Sequence, residues 1–334
     1  MTVIRQDDFI DSIADALQFI SYYHPVDFVK AVHAAYLREQ NPAARDAMAQ
    51  ILINSRMCAQ GHRPICQDTG IVTVFLKIGM KVQWDATLSV SDMVNEGVRR
   101  AYTNPDNVLR ASILEDPAGA RRNTRDNTPA VIHMEVVPGN TVDVQVAAKG
   151  GGSENKSKLV MLNPSYSIVD WVVKTIPTMG AGWCPPGMLG IGIGGTAEKA
   201  ALLAKEALMD PIDIHELRER GPASRVEELR LEIMEAVNKL GIGAQGLGGL
   251  TTVMDVKIRD YPTHAASLPV AMIPNCAATR HAHFVLDGSG PALQTPPDIN
   301  DWPEITQEAR AGVRRVNLDT VTRDEAAQWQ PGHP

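Results

Sequence analysis

The order in which two hydrophobic periodicities occur along the chain limits the folds open to it. Apolar residues recur with helical spacing through most of the first sixty residues, which predicts an all-helical N-terminal region. The β-branched run IVTVFLKIG at residues 71–79 then predicts a buried strand. Helical and strand-like segments follow without regular strand–helix–strand alternation. We therefore predict an α/β fold of the mixed α+β kind, with mixed sheets surrounded by helices.

Turn-forming residues divide the rest of the chain into segments with recognisable periodicity. Two alternating runs in residues 130–152 predict a β-hairpin that turns at residues 138–140. Residues 89–104 are predicted to be helical, with Ser91 as the N-cap. Further helices are predicted over residues 165–178, 196–208 and 224–240, and a strand over residues 250–258.

The composition changes near residue 290, where proline and polar residues become more frequent and regular periodicity fades. We expect residues 1–290 to form one catalytic domain. Residues 291–334 are expected to be a docking tail, or a linker toward a second domain or a beta subunit. Within this tail, RRVNLDTVT at residues 314–322 predicts one short strand.

Charge and hydropathy exclude several classes of partner. The net charge of −7 opposes a phosphate backbone, and no basic stripe is present, so we expect no nucleic-acid partner. The N-terminus has acidic residues where a secretory signal would be apolar. No segment offers the roughly twenty uninterrupted apolar residues that span a bilayer. We therefore expect a cytoplasmic protein without a membrane partner.

Four cysteines are few for this length, and in a reducing compartment they are expected to be inert, catalytic or metal ligands. Cys58 lies in a predicted helix, where a small buried side chain explains it best. Cys66, Cys184 and Cys276 each lie among Pro, Gly or Asn near the end of an apolar segment. Such turns can present a side chain into a cleft, although any one of these thiols could be buried and inert.

Two metal sites are open to this set of cysteines. Three thiolates can hold three irons of a cubane cluster and leave the fourth iron exposed to a substrate. Zinc bound by the three cysteines and one histidine is the alternative. The histidines considered for that site are His264, His281 and His283.

Three glycine-rich segments occupy residues 149–157, 187–200 and 241–249. Residues 192–200 match a dinucleotide-binding fingerprint only in part. Successive backbone N–H groups in such segments can instead bind an anion such as a carboxylate. The alternative for each segment is a set of tight turns packed against the core.

Several polar residues are candidates for binding and proton transfer. Arg110 could hold a carboxylate through two parallel hydrogen bonds, or it could form a surface ion pair with Glu115 or Asp116. His264 could transfer a proton, or it could be an ordinary loop residue. Further candidates are Asp68, Lys149, Glu154, Lys156 and Arg280.

Six long motifs occur in one order along the chain and make a family resemblance specific. Together they resemble the iron–sulfur domain of class I fumarate hydratases, and the related tartrate dehydratase alpha subunits share several of them. The resemblance runs from near residue 5 to the end of the chain. The motifs are RPICQDTG, AAKGGGSENKS, GAGWCPPGMLGIGIGGTAEKA, GIGAQGLGG, PTHAAS and NCAATRHAHFVLDGSG.

The resemblance implies a 4Fe–4S cluster held by Cys66, Cys184 and Cys276. In that family the fourth iron has no protein ligand and binds oxygen atoms of a small dicarboxylate substrate. The implied reaction is the reversible hydration of fumarate to malate. Tartrate or mesaconate hydratase activity is the alternative within the family, and a zinc- or nucleotide-binding regulatory protein is the alternative from another class.

The same resemblance assigns roles to residues around the cysteines. Asp68 would contact the substrate hydroxyl, and His264 would act in proton transfer, reaching across a homodimer. The implied substrate-binding residues are Gln67, Arg110 and Gly150. Longer members of the family continue into a second domain that supplies a threonine base. We therefore expect this chain to need a C-terminal domain or a beta subunit for full activity.

Overall fold

Helices and strands are mixed through residues 2–305, the part of the chain that the computed structural model describes. The strands are β1 (Thr2–Arg5), β2 (Ile71–Gly79), β3 (Val82–Asp85), β4 (Leu114–Glu115), β5 (Arg122–Asn123), β6 (Val131–Val137), β7 (Val142–Lys149), β8 (Lys158–Leu162), β9 (Gly187–Gly194), β10 (Val253–Tyr261), β11 (Leu268–Asn275) and β12 (His281–Leu286). The helices are α1 (Gln6–Tyr22), α2 (Val26–Arg38), α3 (Pro42–Gly61), α4 (Val90–Tyr102), α5 (Gly151–Glu154), α6 (Ile168–Thr175), α7 (Ala197–Ala207), α8 (Ile214–Arg220) and α9 (Arg225–Lys239). The predicted mixed fold class is confirmed.

Two four-stranded mixed sheets form the frame of the described residues. The first has the order β12–β7–β2–β6, with β2 parallel to β6 and antiparallel to β7. The second has the order β10–β9–β11–β8, with β9 parallel to β10 and antiparallel to β11. Because the chain passes from β11 in the second sheet to β12 in the first, the turn between these strands lies where the sheets meet.

The hairpin predicted for residues 130–152 is wrong, because β2 lies between β6 and β7. The connection from β6 to β7 crosses the end of β2, where the Gly79 N–H donates to the Thr141 carbonyl at 2.9 Å. A Cβ at Gly79 would lie 2.7 Å from the carbonyl carbon of Gly139, so the crossing requires glycine. β2 is buried along most of its length, and such a strand is stable with a partner on each edge.

The segment at residues 187–194 is a buried strand, β9, and not a glycine-rich loop. A Cβ at Gly190 would overlap the carbonyl oxygen of Ala204, and one at Gly192 would overlap that of Ala200. Both alanines belong to α7, which therefore packs with its backbone directly against the strand. The glycines here permit close helix–strand packing and do not form an anion-binding loop.

The three largest groups of buried apolar residues in the described chain fill much of the space between these elements. Phe9 and Ile13 of α1 belong to the group on the first sheet, and Ile233 of α9 belongs to the group on the second sheet. The third group joins α2 and α3 to Met254 of β10 and to Trp302 near the end of the described chain. This third core holds α3 against the region where the two sheets meet.

Two local details differ from the predictions made from the sequence, namely the all-helical N-terminal region and the start of α4. Residues 2–5 form β1, which pairs in parallel with β3. The N-cap of α4 is Ser89 and not Ser91 as predicted. The Ser89 hydroxyl oxygen accepts from the Asp92 N–H at 3.1 Å and donates to the Asp92 carboxylate at 2.6 Å. This reciprocal pair fixes the helix start two residues earlier than predicted.

The first part of the predicted tail packs on the rest of the chain. The Ala292 N–H donates to the Ser12 hydroxyl at 2.8 Å, and the Gln294 N–H donates to Asp15 at 2.6 Å. The Trp302 side chain is buried, and its indole N–H donates to the Ser55 hydroxyl at 2.7 Å. The strand predicted at residues 314–322 lies outside the described residues. None of the helices in residues 2–305 is long and apolar enough to cross a membrane.

Candidate active site

Three free cysteines line one cavity of about 720 Å³, which we call the cysteine cavity. Cys66 lies in the turn between α3 and β2, and Cys184 lies in the turn that precedes β9. Cys276 lies in the turn from β11 to β12. The Ala277 N–H donates to the Cys184 carbonyl at 3.0 Å, which joins two of the three turns directly.

Hydrogen bonds to the backbone hold the first two turns in place. The Ile65 carbonyl accepts from the Asn54 side chain at 2.9 Å, and the Ile65 N–H donates to Ser21 at 2.8 Å. The Pro185 carbonyl accepts two hydrogen bonds from Gln245, at 2.6 Å from its backbone and 2.8 Å from its side chain. Cys184 has a φ of +55°, a left-handed conformation that non-glycine residues adopt rarely and mainly at functional sites.

The electrostatics of the cavity favour a positively charged occupant. Partial burial raises the pKa of the Cys184 thiol, and the neighbouring Cys276 and Cys66 raise it further. Ionising all three thiols would therefore bring like charges together. A bound metal centre removes that repulsion, because a coordinating thiol loses its proton to the metal.

The histidines considered for a zinc site are not part of the cysteine cavity. Among residues 2–305, no three His, Cys, Asp or Glu side chains are placed to hold one metal ion. His264, His281 and His283 do not line the cysteine cavity, and His283 bonds instead to Asp143 at 2.9 Å. The three thiols that line the cavity are a donor set that an iron–sulfur cluster could use.

Asp68 connects the Cys66 turn to the glycine-rich segment at residues 149–157. Its carboxylate accepts from the Gly70 N–H at 3.0 Å and from the Gly151 N–H at 2.7 Å. A Cβ at Gly150 would lie 3.2 Å from the Asp68 carboxylate and 3.6 Å from the Arg280 guanidinium. Arg280 also donates to the Asp68 carbonyl. Asp68, Gly150 and Arg280 therefore form one connected group at the meeting of three loops.

Lys149 lies under the same loop and is almost completely buried. Its ammonium donates to the Ser153 hydroxyl, and Glu154 is 3.8 Å away. Burial lowers the pKa of Lys149 to about 8, against the opposing effects of Glu154 and Cys276. The 149–157 segment thus has a buried cation below its glycines.

Gln67 and Arg110 are both exposed. Gln67 lines the cysteine cavity, and its side-chain oxygen accepts from the Cys66 thiol at 3.2 Å. Arg110 is held at its carbonyl by the Thr69 hydroxyl. Within the described chain its guanidinium forms no ion pair with Glu115 or Asp116, and Glu115 pairs instead with Arg122 at 3.8 Å. The surface ion pair weighed for Arg110 is therefore not formed, and the guanidinium is available to an anion.

His264 is not brought to the cysteine cavity within one chain. It is exposed beside a separate cavity of about 580 Å³ that Gly195 and Tyr261 also line. Its Nδ1 accepts from the Ala266 N–H at 3.1 Å. Any role of His264 at a cysteine cavity would require a second copy of the chain.

The third glycine-rich segment, residues 241–249, ends against a carboxylate of the chain itself. The buried Glu39 side chain accepts from the Leu250 N–H at 2.9 Å and from the Asn41 N–H at 3.0 Å. A Cβ at Gly249 would lie 2.7 Å from that carboxylate. This segment therefore has a structural anion, and of the three glycine-rich segments, 149–157 is the one that contacts Asp68.

His24 is a residue of this site that was not among the candidates selected from the sequence. It lines the cysteine cavity, and its side chain is 2% exposed. Its Nδ1 is 2.7 Å from the Ser55 hydroxyl oxygen, whereas its Nε2 has no hydrogen-bond partner among residues 2–305. Burial lowers the pKa of His24 to about 3, helped by the charge of Arg280 and opposed by the backbone of Ala277. No motif marks it, because its partners are distant in sequence.

Comparison with known proteins identifies the family. The profile of the family described as Fumarate hydratase (Fumerase) matches residues 10–285, which include all three cysteines of the cavity. The chain belongs to the fumarate hydratase family. Fumarate hydratases of this family and their relatives are hydro-lyases, and this chain is a hydro-lyase of the alpha type.

Relatives of this fumarate hydratase family member include tartrate dehydratase subunits. The L(+)-tartrate dehydratase subunit alpha of Escherichia coli K12 is 30% identical over 283 residues, covering 82% of this chain and 89% of that protein. A Methanocaldococcus jannaschii protein, provisionally named as the same subunit, is 34% identical over 278 residues. That match covers 81% of this chain and 95% of the relative.

Proposed function

We propose that this chain is the iron–sulfur component of a hydro-lyase that interconverts fumarate and malate. The proposal assigns a 4Fe–4S cluster to Cys66, Cys184 and Cys276. The observation that carries it is the convergence of these three thiols, from three separate turns, on one cavity beside Asp68. The fumarate hydratase family match supports the choice of substrate.

When bound, the cluster supplies an exposed iron that acts as a Lewis acid toward the substrate hydroxyl. The residues of the chain bind and orient the substrate. The exposed guanidinium of Arg110 suits a carboxylate, which it can grip through two parallel hydrogen bonds. Gln67 lies at the cavity wall and offers an amide to the same substrate. The absence of a side chain at Gly150 leaves room for a carboxylate next to Asp68 and Arg280.

Asp68 is proposed to accept a hydrogen bond from the substrate hydroxyl or from the attacking water. Both of its oxygens already accept one backbone N–H, which fixes the carboxylate, and each retains a further lone pair. A carboxylate held in this way is ready for the reaction without rearrangement.

Removal of the carbon-bound proton needs a base, and the resemblance to longer family members implies that a second domain supplies it. We assign the base to a C-terminal domain or a beta subunit. The alpha-subunit names of the relatives support a partner chain. His264, which is exposed on the same chain, is assigned to proton transfer in the site of a second copy within a homodimer.

Dehydration of L(+)-tartrate is the second candidate. The names of the Escherichia coli and Methanocaldococcus jannaschii relatives favour it. Tartrate differs from malate by one added hydroxyl, and a site that binds two carboxylates and one hydroxyl can tolerate such a change. Steady-state rates with fumarate, L(+)-tartrate and mesaconate, measured with the partner chain present, separate the candidates. Turnover of tartrate without turnover of fumarate would refute the first proposal.

The cluster assignment has a direct test in anaerobic reconstitution with iron and sulfide. The full chain should become brown, and Cys66→Ser should lose the bound iron and acid-labile sulfide. Cys58→Ser is the matched control, because the Cys58 thiol is buried in α3 and lies 3.7 Å from Asn54 and 3.6 Å from the Pro64 carbonyl. If Cys58→Ser removes all bound iron, the assigned ligands are wrong. One equivalent of zinc and no iron in anaerobically purified protein would refute the cluster itself.

A further inference from the structure

A chain of hydrogen bonds leads from Trp302 through Ser55 to His24. The Trp302 indole N–H lies 2.7 Å from the Ser55 oxygen, and that oxygen lies 2.7 Å from Nδ1 of His24. All three side chains are buried, with relative exposures of 1%, 1% and 2%. An indole N–H can only donate, so the Ser55 oxygen accepts from Trp302.

The Ser55 hydroxyl proton fixes the tautomer of His24. Within residues 2–305, Nδ1 of His24 is the one acceptor in reach of that proton. Nδ1 therefore accepts, and the ring proton of a neutral imidazole lies on Nε2. Phe28 stacks against the ring, with centroids 4.9 Å apart, and this contact limits rotation.

The Nε2–H group of His24 is a buried donor that meets no acceptor with good hydrogen-bond geometry in the described chain. Buried N–H groups in folded proteins are almost always satisfied, so an acceptor is expected in the cavity that the ring lines. The nearest acceptor is the backbone of Ala277, whose hydrogen-bonding contact raises the pKa of the His24 ring, and Ala277 follows Cys276 directly. The acceptor is therefore expected near the Cys276 corner of the cavity.

We propose that His24 is a positioning residue that donates its Nε2–H to a sulfur atom of the iron–sulfur cluster near Cys276. This inference rests on the proposed function, because the acceptor belongs to the cluster. A hydrogen bond to a cluster sulfur stabilises the more electron-rich state of the cluster and so raises its reduction potential. The neutral imidazole adds this donor without adding a charge. Trp302 and Ser55 hold the donor in place from the opposite side of the ring.

The test compares variants of the full chain after anaerobic reconstitution. His24→Phe keeps an aromatic ring and removes the donor, whereas His24→Gln keeps an N–H near the position of Nε2. We expect His24→Phe to bind the full cluster and to shift its reduction potential to more negative values, measured by redox titration followed by electron paramagnetic resonance. His24→Gln should restore most of the wild-type potential. His33→Phe, on α2 but outside the cavity, is the control and should leave the potential unchanged.

A second measurement does not depend on the cluster. In metal-free protein labelled with 15N-histidine, the His24 resonances should show the Nε2–H tautomer, and Ser55→Ala should give a mixture of tautomers with a smaller shift of potential. This variant keeps the inference testable if His24→Phe does not fold. An Nδ1–H tautomer in the wild type, or equal potentials for His24→Phe and wild type, would overturn the inference while the proposed function stood. Failure of the wild-type chain to bind a cluster would overturn both.

Discussion

Asp68→Asn is expected to destabilise the metal-free protein, because each oxygen of the Asp68 carboxylate accepts a hydrogen bond from a backbone N–H. One oxygen accepts from Gly70 at 3.0 Å and the other from Gly151 at 2.7 Å. An asparagine amide has a single oxygen. Whichever way it is flipped, its NH₂ group faces one of these N–H groups, and a donor meets a donor. The lost acceptor and the unsatisfied N–H together cost about 1–3 kcal/mol.

Urea unfolding of metal-free protein at neutral pH measures this cost without the cluster. Asp298→Asn is the matched control, because the exposed Asp298 accepts one backbone N–H, from Asn300 at 2.9 Å. An asparagine can replace that single acceptor, so the control should change the free energy of unfolding by less than about 0.5 kcal/mol. Equal effects of the two substitutions would show that Asp68 is not the junction between the Cys66 turn and the glycine segment.

Two further predictions concern stability. The pKa of His24 is about 3 in the folded chain against an ordinary 6.5, so the unfolded chain takes up the proton first. The stabilisation of the folded state by neutral His24 is therefore complete above pH 6.5 and decreases as the pH falls toward 3. About 2 kcal/mol of it is lost at pH 5. Urea unfolding from pH 7 to 5 should show a shallower decline for His24→Gln than for wild type, and an equal decline would contradict the burial argument. Gly192→Ala should lose more than about 3 kcal/mol or fail to fold, because its Cβ would overlap the Ala200 carbonyl oxygen. Gly61→Ala, where a Cβ meets nothing closer than 3.7 Å, should leave thermal stability unchanged or slightly raised, and a loss similar to that of Gly192→Ala would count against the packing argument.

The periodicity of the sequence predicted individual helices and strands more accurately than it predicted which strands pair with each other. The bounds of β2 match the β-branched run, because a strand buried on both faces leaves a continuous apolar signature in the sequence. The pairing of β6 with β7 was wrong, because alternation records which face of a strand is buried and not which strand lies beside it. A short turn between two strands favours a hairpin, yet here the turn passes over the end of β2 at Gly79.

Glycine content likewise did not distinguish a strand from a turn segment. Residues 187–194 and 241–249 are both rich in glycine, but the first is a strand packed against α7 and the second is a turn segment whose last residue lies against Glu39. What separates them is the distance to another element, and local sequence does not contain that distance. His24 escaped selection for the same reason, since a single histidine acquires its role from Ser55 and from the cavity. The cysteines were selected because proline, glycine and asparagine around them mark turns.

The position of the cysteine cavity gives the proposed cluster a second, structural consequence. Cys66 precedes β2 of the first sheet, and Cys184 precedes β9 of the second sheet. Cys276 lies on the connection between the two sheets. A group bound to all three thiols therefore adds a link between two sheets that also meet through the core around α3 and through the packing of Phe75 and Ala147 on Met209. Because such a site exists only when both sheets are in place, the binding free energy of the group adds to the free energy of unfolding. The same geometry explains why the thiols lie near the ends of strands. A thiol next to a rigid element can bind the proposed cluster without further ordering of the chain.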